Sequence, residues 1–445
     1  MSANTIENVD AVVIGGNLAG LVSAWLLGEL GYRTVLLERS KKLGGVNASF
    51  EVADGTTFDM GMHVLDYMRS PVTTRLFSRM AGDNLRRTRL RRAMVLRGQI
   101  LPYAPEPAQM PDDLRSLLAG ESLVDDIGTA LPARERLAAI YGPGYADLIY
   151  DEVLPSYRCE YRHKQLGVDE ARLLTNIYPW FFPRAERPVT GVGESRSFHD
   201  RLRRGEAQYV LYPARGGFAG FARAFAEGLD RRYVETVTDI PDLHLELEPG
   251  THSVRRIDAG GRRLAADHVF WAANWAGLCK LLALPCRNLA TDNLLLGSFL
   301  FDRPAISDYN EIIVGDPALH LDRISFPGKF AQTDAPQLQV EFAFPAAGPE
   351  LPLEAAHWRG VWRDELQQLG LIDKDHRLES FDFRNFRMHF NSFGAEGVPH
   401  EEADPTLLRA DSNIVPVAPS VLNRNLNASV PRYLEAVLHA VTLLH

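Results

Sequence analysis

The chain has 445 residues, 46% of them hydrophobic and 24% charged, with a net charge of −9. At roughly 150 residues per domain this means two to three domains and ample material for a large core, which excludes disordered, collagen-like and disulfide-scaffold classes. The acidic balance argues against a nucleic-acid binder, which needs a basic footprint to displace phosphate counterions, but it permits a local arginine pocket for a small anion. Cys159, Cys279 and Cys286 are too scattered for a zinc site or a disulfide framework, so no metal is expected. The opening MSANTIENVD has no secretory pattern, and no run of about 18 apolar residues occurs. A soluble, cytoplasmic protein without a transmembrane segment is expected.

Residues 10–14 (DAVVI) read as a short buried strand closed by glycine. The turn Gly15-Gly16-Asn17-Leu18-Ala19-Gly20 follows, then a helix with apolar positions at Leu18, Val22, Trp25, Leu26 and Leu30 that ends near Gly31. Residues 34–37 (TVLL) form a second strand, closed by Glu38. Strand, glycine turn, helix, strand and acid make a dinucleotide-binding βαβ unit. Gly15 makes the tight turn and Gly20 lets helix and sheet approach. The helix N-terminus offers free N–H groups to a pyrophosphate, and Glu38 can accept from ribose hydroxyls. Asn17 stands where the pattern has its second glycine; asparagine tolerates positive φ better than most residues.

Residues 38–45 (ERSKKLGG), with Arg39, Gly44 and Gly45, resemble the E-x-x-x-x-L-G-G extension of glutathione-reductase-type FAD proteins, especially the amine-oxidase and protoporphyrinogen-oxidase superfamily. Residues 54–63 (DGTTFDMGMH) resemble that superfamily's D-G-x-x-F-D-x-G-x-H stretch. The resemblance implies non-covalent FAD, with Gly61, Met62 and His63 facing its isoalloxazine ring; a lone histidine is otherwise more often a satisfied structural residue. Residues 262–273 resemble the strand that returns to the FAD-domain sheet, and residues 412–419 its last strand. The helix after Asn427 would then point at the flavin. The implied fold class is α/β. A Rossmann-like FAD-binding domain comprises 1–105, 206–290 and 401–445, with a mixed α+β substrate domain formed by a helical insertion at 106–205 and a β-rich one at 291–400. The latter holds alternating runs such as LQVEFAF.

Within the insertions, residues 161–169 (YRHKQLGVD) are similar to the Y-T-x-K-Q-W-x-x-D segment of UDP-galactopyranose mutases. Residues 319–330 (LHLDRISFPGKF), 339–342 (QVEF) and 91–99 (RRAMVLRGQ) also resemble segments of that family. What this implies is a nucleotide-diphosphate sugar at Tyr161, Arg184, Arg323 and Phe342, with Arg184 and Arg323 clamping the diphosphate and His63 beside the reacting ring. Guanidinium suits phosphate because its fixed donors bind bidentately and stay charged. Leu166 replaces the family's tryptophan and Phe342 a tyrosine, the G-R beside the flavin is absent, and Asn427 stands for aspartate. Three readings follow: a mutase-like isomerase acting through reduced flavin, with NAD(P)H as a candidate external reductant; a hydride-removing FAD oxidoreductase of the amine-oxidase, protoporphyrinogen-oxidase or desaturase type; and a flavin-free scaffold. Arg86, Arg87, Arg89, Arg91 and Arg92 read as a solvated edge-strand face.

Overall fold

The computed structural model describes residues 6–52, 55–102, 111–116, 134, 135, 138, 142–153, 206–284, 291–333, 335–345, 351–389, 408, 411–417 and 426–442. Strand β1 (Glu7–Ile14), helix α1 (Leu18–Glu29) and strand β2 (Thr34–Leu37) form where the apolar spacing places them. β1 lies between β2 and the strand Arg262–Trp271, parallel to both, and Val234–Val237 extends the sheet beyond β2. Ile414–Pro416 joins in parallel along the second half of Arg262–Trp271, while Val254–Ala259 pairs antiparallel with the first half. Ile14 pairs with both Leu37 and Trp271, Leu37 with Val237, and Trp271 with Pro416, so five parallel strands end level. Open α/β sheets bind ligands at such a carboxyl edge, where successive connections leave in opposite directions.

α1 is buried on nearly all sides, Ser23 and Ala24 included, in one core with helices Pro71–Ala81, Ala219–Glu227 and Leu426–Thr442. Trp25 meets Phe225 edge to face at 6.4 Å. Leu30, expected on the apolar face, caps the helix and is 44% exposed.

A second seven-stranded sheet runs in the order Leu378–His389, Thr291–Phe301, Gln337–Pro345, Arg323–Ser325, Glu311–Val314, Arg92–Leu96 and Gln99–Pro102. The hairpin at 92–102, grouped by the sequence with the first domain, pairs here instead, through a parallel match of Arg92–Leu96 with Glu311–Val314. Along Gln337–Pro345 the two faces differ in character. Leu338, Val340, Phe342 and Phe344 pack with Trp358, Trp362 and Leu366 of the helix Ala355–Gln368. Gln337, Gln339 and Glu341 face the opposite way, as period-two alternation requires.

Of the arginine cluster, Arg87 lies on the edge strand Leu85–Arg89 between the Tyr67 and Tyr209 rings, at 4.1 and 4.4 Å. Arg92 departs from the expected solvated face and pairs with buried Glu311.

Candidate functional site

The level edge of the parallel sheet carries the glycine turn. Gly15 has φ +109°, and a Cβ there would stand 2.8 Å from the Ala273 nitrogen. A Cβ at Gly20 would overlap the Gly15 carbonyl oxygen, so this position sets how closely α1 approaches the strand. Asn17 does not use positive φ: at φ −75° and ψ −179° it is extended and forms the N-cap of α1. Its Oδ1 accepts from Gly20 N at 3.1 Å, and its Nδ2 donates to the Ala272 carbonyl at 2.7 Å. The expected tolerance of positive φ is therefore not the reason for asparagine here. Its side chain staples the turn to the end of the neighbouring strand. The cap takes the Gly20 N–H, and the parallel bridge of Asn17 with Gly44 sets Leu18 N–H against the Gly44 carbonyl, which leaves the Ala19 N–H without an intrahelical acceptor, as an anion site at a helix N-terminus requires.

Glu38 follows β2 as expected. Its Oε2 accepts from Gly16 N at 2.6 Å, and its Oε1 from Ser40 N and Oγ at 2.8 and 2.6 Å. A carboxylate has about four lone-pair positions, so Oε2 keeps room for one further donor such as a ribose hydroxyl. Arg39 is exposed beside it. Gly44 N donates to Gly16 O at 2.8 Å, which brings the Gly44-Gly45 extension against the turn. The donors, the acceptor and the cleared backbone fit a dinucleotide.

The segment 57–63 lies in a seam between the second sheet and the strand Tyr209–Pro213 with Phe218 after it. Asp59, fully buried, accepts from Ser49 Oγ, the Tyr212 hydroxyl and Phe218 N, each at 2.7 Å. Burial pushes its carboxyl up to about 6, with the nearby Glu341 charge adding to the rise against those hydrogen bonds. Burial, together with Asp59, likewise pushes the Tyr212 hydroxyl well above its ordinary value. Across the seam, Gln337 Nε2 donates to Thr57 O at 2.9 Å, Gln339 Nε2 to Asp59 O at 2.8 Å, and Met62 N to Glu341 Oε1 at 2.8 Å. Gly61 has φ +84° and faces the Glu341 carboxylate. His63 Nδ1 lies 2.6 Å from Gly61 O, so Nδ1 carries a proton, and its ring sits 5.5 Å from that of Phe218.

Arg323 lies beside this loop, committed to carboxylates. Its Nε and Nη2 donate to Glu341 at 2.6–2.9 Å, and its Nη1 reaches Glu311 at 3.4 Å. Arg92 holds the other Glu311 oxygen. Burial raises the Glu311 carboxyl, but the Arg92 and Arg323 charges outweigh it and hold that group below the usual range. The four groups form a charge-balanced set on one face of the second sheet. Phe342, expected at the substrate, is placed elsewhere: strand alternation turns it into the core beside Phe344, Trp358 and His320. Tyr161 and Arg184 lie outside the described residues, and Asn427 falls in the first turn of the helix Leu426–Thr442. Sequence reasoning missed Asp59, Tyr212, Glu311 and Glu341. For Glu341 a signal existed, since a strand with one wholly apolar face and a Gln-Gln-Glu face has two packed sides to explain.

A family model for the NAD(P)-binding Rossmann-like domain matches residues 13–80. Among solved structures, reduced UDP-galactopyranose mutase superposes with a TM-score of 0.65 at 14% identity, covering 98% of this chain and 96% of that one. A protein of Exiguobacterium described as a protoporphyrinogen oxidase gives 0.64 at 15%, covering 99% and 100%. Putrescine oxidase gives 0.63 at 12%, covering 98% and 100%. The chain shares the fold of these three proteins. These proteins include a mutase and an oxidase, so the fold leaves the substrate open. Shorter sequence matches reach two curated relatives. They are all-trans-retinol 13,14-reductase of Rattus norvegicus (43% over 63 residues, 14% of this chain and 10% of that protein) and 15-cis-phytoene desaturase of Narcissus pseudonarcissus (36% over 58 residues, 13% and 10%). The match thus spans about a tenth of the length of either relative. Among the described residues no helix is long and apolar enough to cross a membrane.

Proposed function

We propose that this chain is a flavoenzyme that binds FAD non-covalently and transfers hydride to or from a small organic substrate. The observation that carries the choice over a nucleotide-sugar mutase is the commitment of Arg323 to Glu341 and Glu311. Turning that guanidinium toward a diphosphate would gain about 1.5–3 kcal/mol for a charge-assisted contact. It would also strip a buried carboxylate of its partner, which costs about 3–5 kcal/mol. The exchange is unfavourable. The retinol reductase and phytoene desaturase matches support the same reading.

Bound FAD would supply the hydride chemistry. The chain's own part is binding and placement. The Ala19 amide and the positive end of α1 would take the pyrophosphate, and Glu38 a ribose hydroxyl. The 61–63 loop would back the ring. In His63 the Nδ1 proton is held by Gly61 O, so Nε2 is the nitrogen able to take up or release a second proton.

The test is spectroscopic. Purified protein loaded with FAD should show visible flavin bands that bleach with dithionite or NAD(P)H. Anaerobic mixing with panels of amines, porphyrinogens and conjugated polyenes should then change the flavin redox state with at least one class. UDP, GDP, CDP and dTDP should leave the spectrum unaltered. If a nucleotide-diphosphate sugar perturbs the reduced flavin and no panel member exchanges hydride, the mutase reading replaces this one. Protein that stays colourless in excess FAD would return the flavin-free scaffold.

A further inference from the structure

The structure assigns Glu341 a positioning role: with Arg323 as its counter-ion, it fixes the Gly61–His63 loop from the substrate-sheet side and so sets how that loop meets the flavin. This rests on the FAD reading above. The loop is held from two directions by different elements. From the nucleotide domain, the Asp59 carboxylate ties its leading strand to Tyr212 and to Phe218 N at the start of Ala219–Glu227. From the second sheet, three alternate residues of one strand each bond one backbone group: Gln337 to Thr57, Gln339 to Asp59 and Glu341 to Met62. The first two are neutral amides bonded to carbonyls in the strand. Glu341 differs, because it reaches past the strand to the glycine loop itself and does so as an anion. The Met62 amide is therefore drawn toward the second sheet by a carboxylate whose orientation Arg323 fixes through three contacts of 2.6–2.9 Å.

The pair is opposed in register on adjacent strands, Arg323 with Glu341, so neither side chain has to travel to meet the other. A carboxylate held in this way is a rigid acceptor, and the loop's placement against a ring would follow the second sheet rather than the loop's own turn propensity. Any substrate contact that shifts this sheet would then reach the flavin face through one hydrogen bond.

Two variants test it, E341Q and the double variant R323M/E341M. In E341Q the amide can still accept from Met62, but Arg323 loses its nearer carboxylate and keeps only Glu311. In the double variant the charges leave together, Glu311 keeps Arg92, and the fold is preserved or stabilised, while Met62 N–H has no acceptor. Hydrogen exchange of the peptide spanning 58–66 should quicken about ten- to a hundred-fold in the double variant, as expected for loss of a hydrogen bond to a charged group. With FAD bound, its flavin reduction potential and visible spectrum should shift although its melting temperature does not fall; E341Q should shift them less. A folded double variant with wild-type exchange, potential and spectrum overturns the assignment. Wild-type protein that binds no FAD overturns this assignment and the FAD reading together, so the two failures are distinguishable.

Discussion

The Asn17 side chain donates to the carbonyl oxygen of Ala272 at 2.7 Å, joining two parallel strand ends that are 255 residues apart in sequence. With its other atom on Gly20 N, this one amide performs two tasks: it caps α1 and closes the nucleotide turn from the side. Asn17→Ala should lose the cap and the tie, at a cost of about 0.5–2 kcal/mol for the cap alone. Asn17→Gly fits the extended backbone and should lose only a few tenths of a kcal/mol for the cap while keeping FAD affinity within a few-fold. Urea unfolding and flavin fluorescence titration of both variants check this. Tighter FAD binding by the glycine variant, by ten-fold or more, would mean the side chain obstructs the pyrophosphate.

Arg323→Ala should behave as a stability variant. It leaves Glu341 without its guanidinium and Glu311 with Arg92 alone, so unfolding free energy should drop by about 3–5 kcal/mol. Chemical denaturation measures this without any ligand. A well-folded Arg323→Ala protein of wild-type stability that has lost nucleotide-diphosphate binding would instead restore the phosphate clamp.

His63→Ala should leave the fold and most FAD affinity intact and lower turnover or shift the flavin spectrum. The ring is partly buried and packs against Phe218, so its removal takes away contacts at the surface of the core and none at its centre. If turnover and spectrum are both unchanged in a variant that binds FAD normally, the imidazole is structural.

Asp59 makes stability depend on pH in a defined direction. Its carboxyl stands at about 6 in the folded protein against 3.8 when solvated, so the native state holds the proton more tightly. That contribution is fully present below about pH 3.8 and is lost as pH rises through about 6. A gap of about two pH units corresponds to about 3 kcal/mol. Asp59→Asn has no proton to lose, so its stability relative to wild type should improve by about that amount between pH 4 and pH 7. Urea midpoints across this range provide the measurement, and parallel curves for the two proteins would contradict it.

The features readable in the sequence were those with local signatures. Strand β1, the turn, α1 and Glu38 lie within a single stretch of about thirty residues, and their spacing alone places them at a sheet edge. The returning strand Arg262–Trp271 and the closing strand Ile414–Pro416 were legible as short apolar runs. The seam was not. Alternation in LQVEFAF announces a strand with one polar face, and such a face ordinarily meets water; nothing within the run says that it meets residues 57–62 instead. Arg323 shows the same limit, because a residue type that suits phosphate suits carboxylate equally and only the fold says which is opposite. Phe342 could have been placed, since it neighbours Glu341 and so must point the other way.

The contacts that finish the glycine loop join residues 279 and 280 positions apart. A ribosome adding about 5–20 residues per second therefore releases Thr57 to Met62 roughly 15–55 s before the strand that will hold them. During that interval the nucleotide turn can already close locally through Glu38 and Gly16, whereas the loop must wait. Nascent chains, and fragments that stop short of residue 341, should thus hold the local contacts of the turn, Glu38 with Gly16, before either the ring-facing loop or the closing strand Ile414–Pro416 is in place.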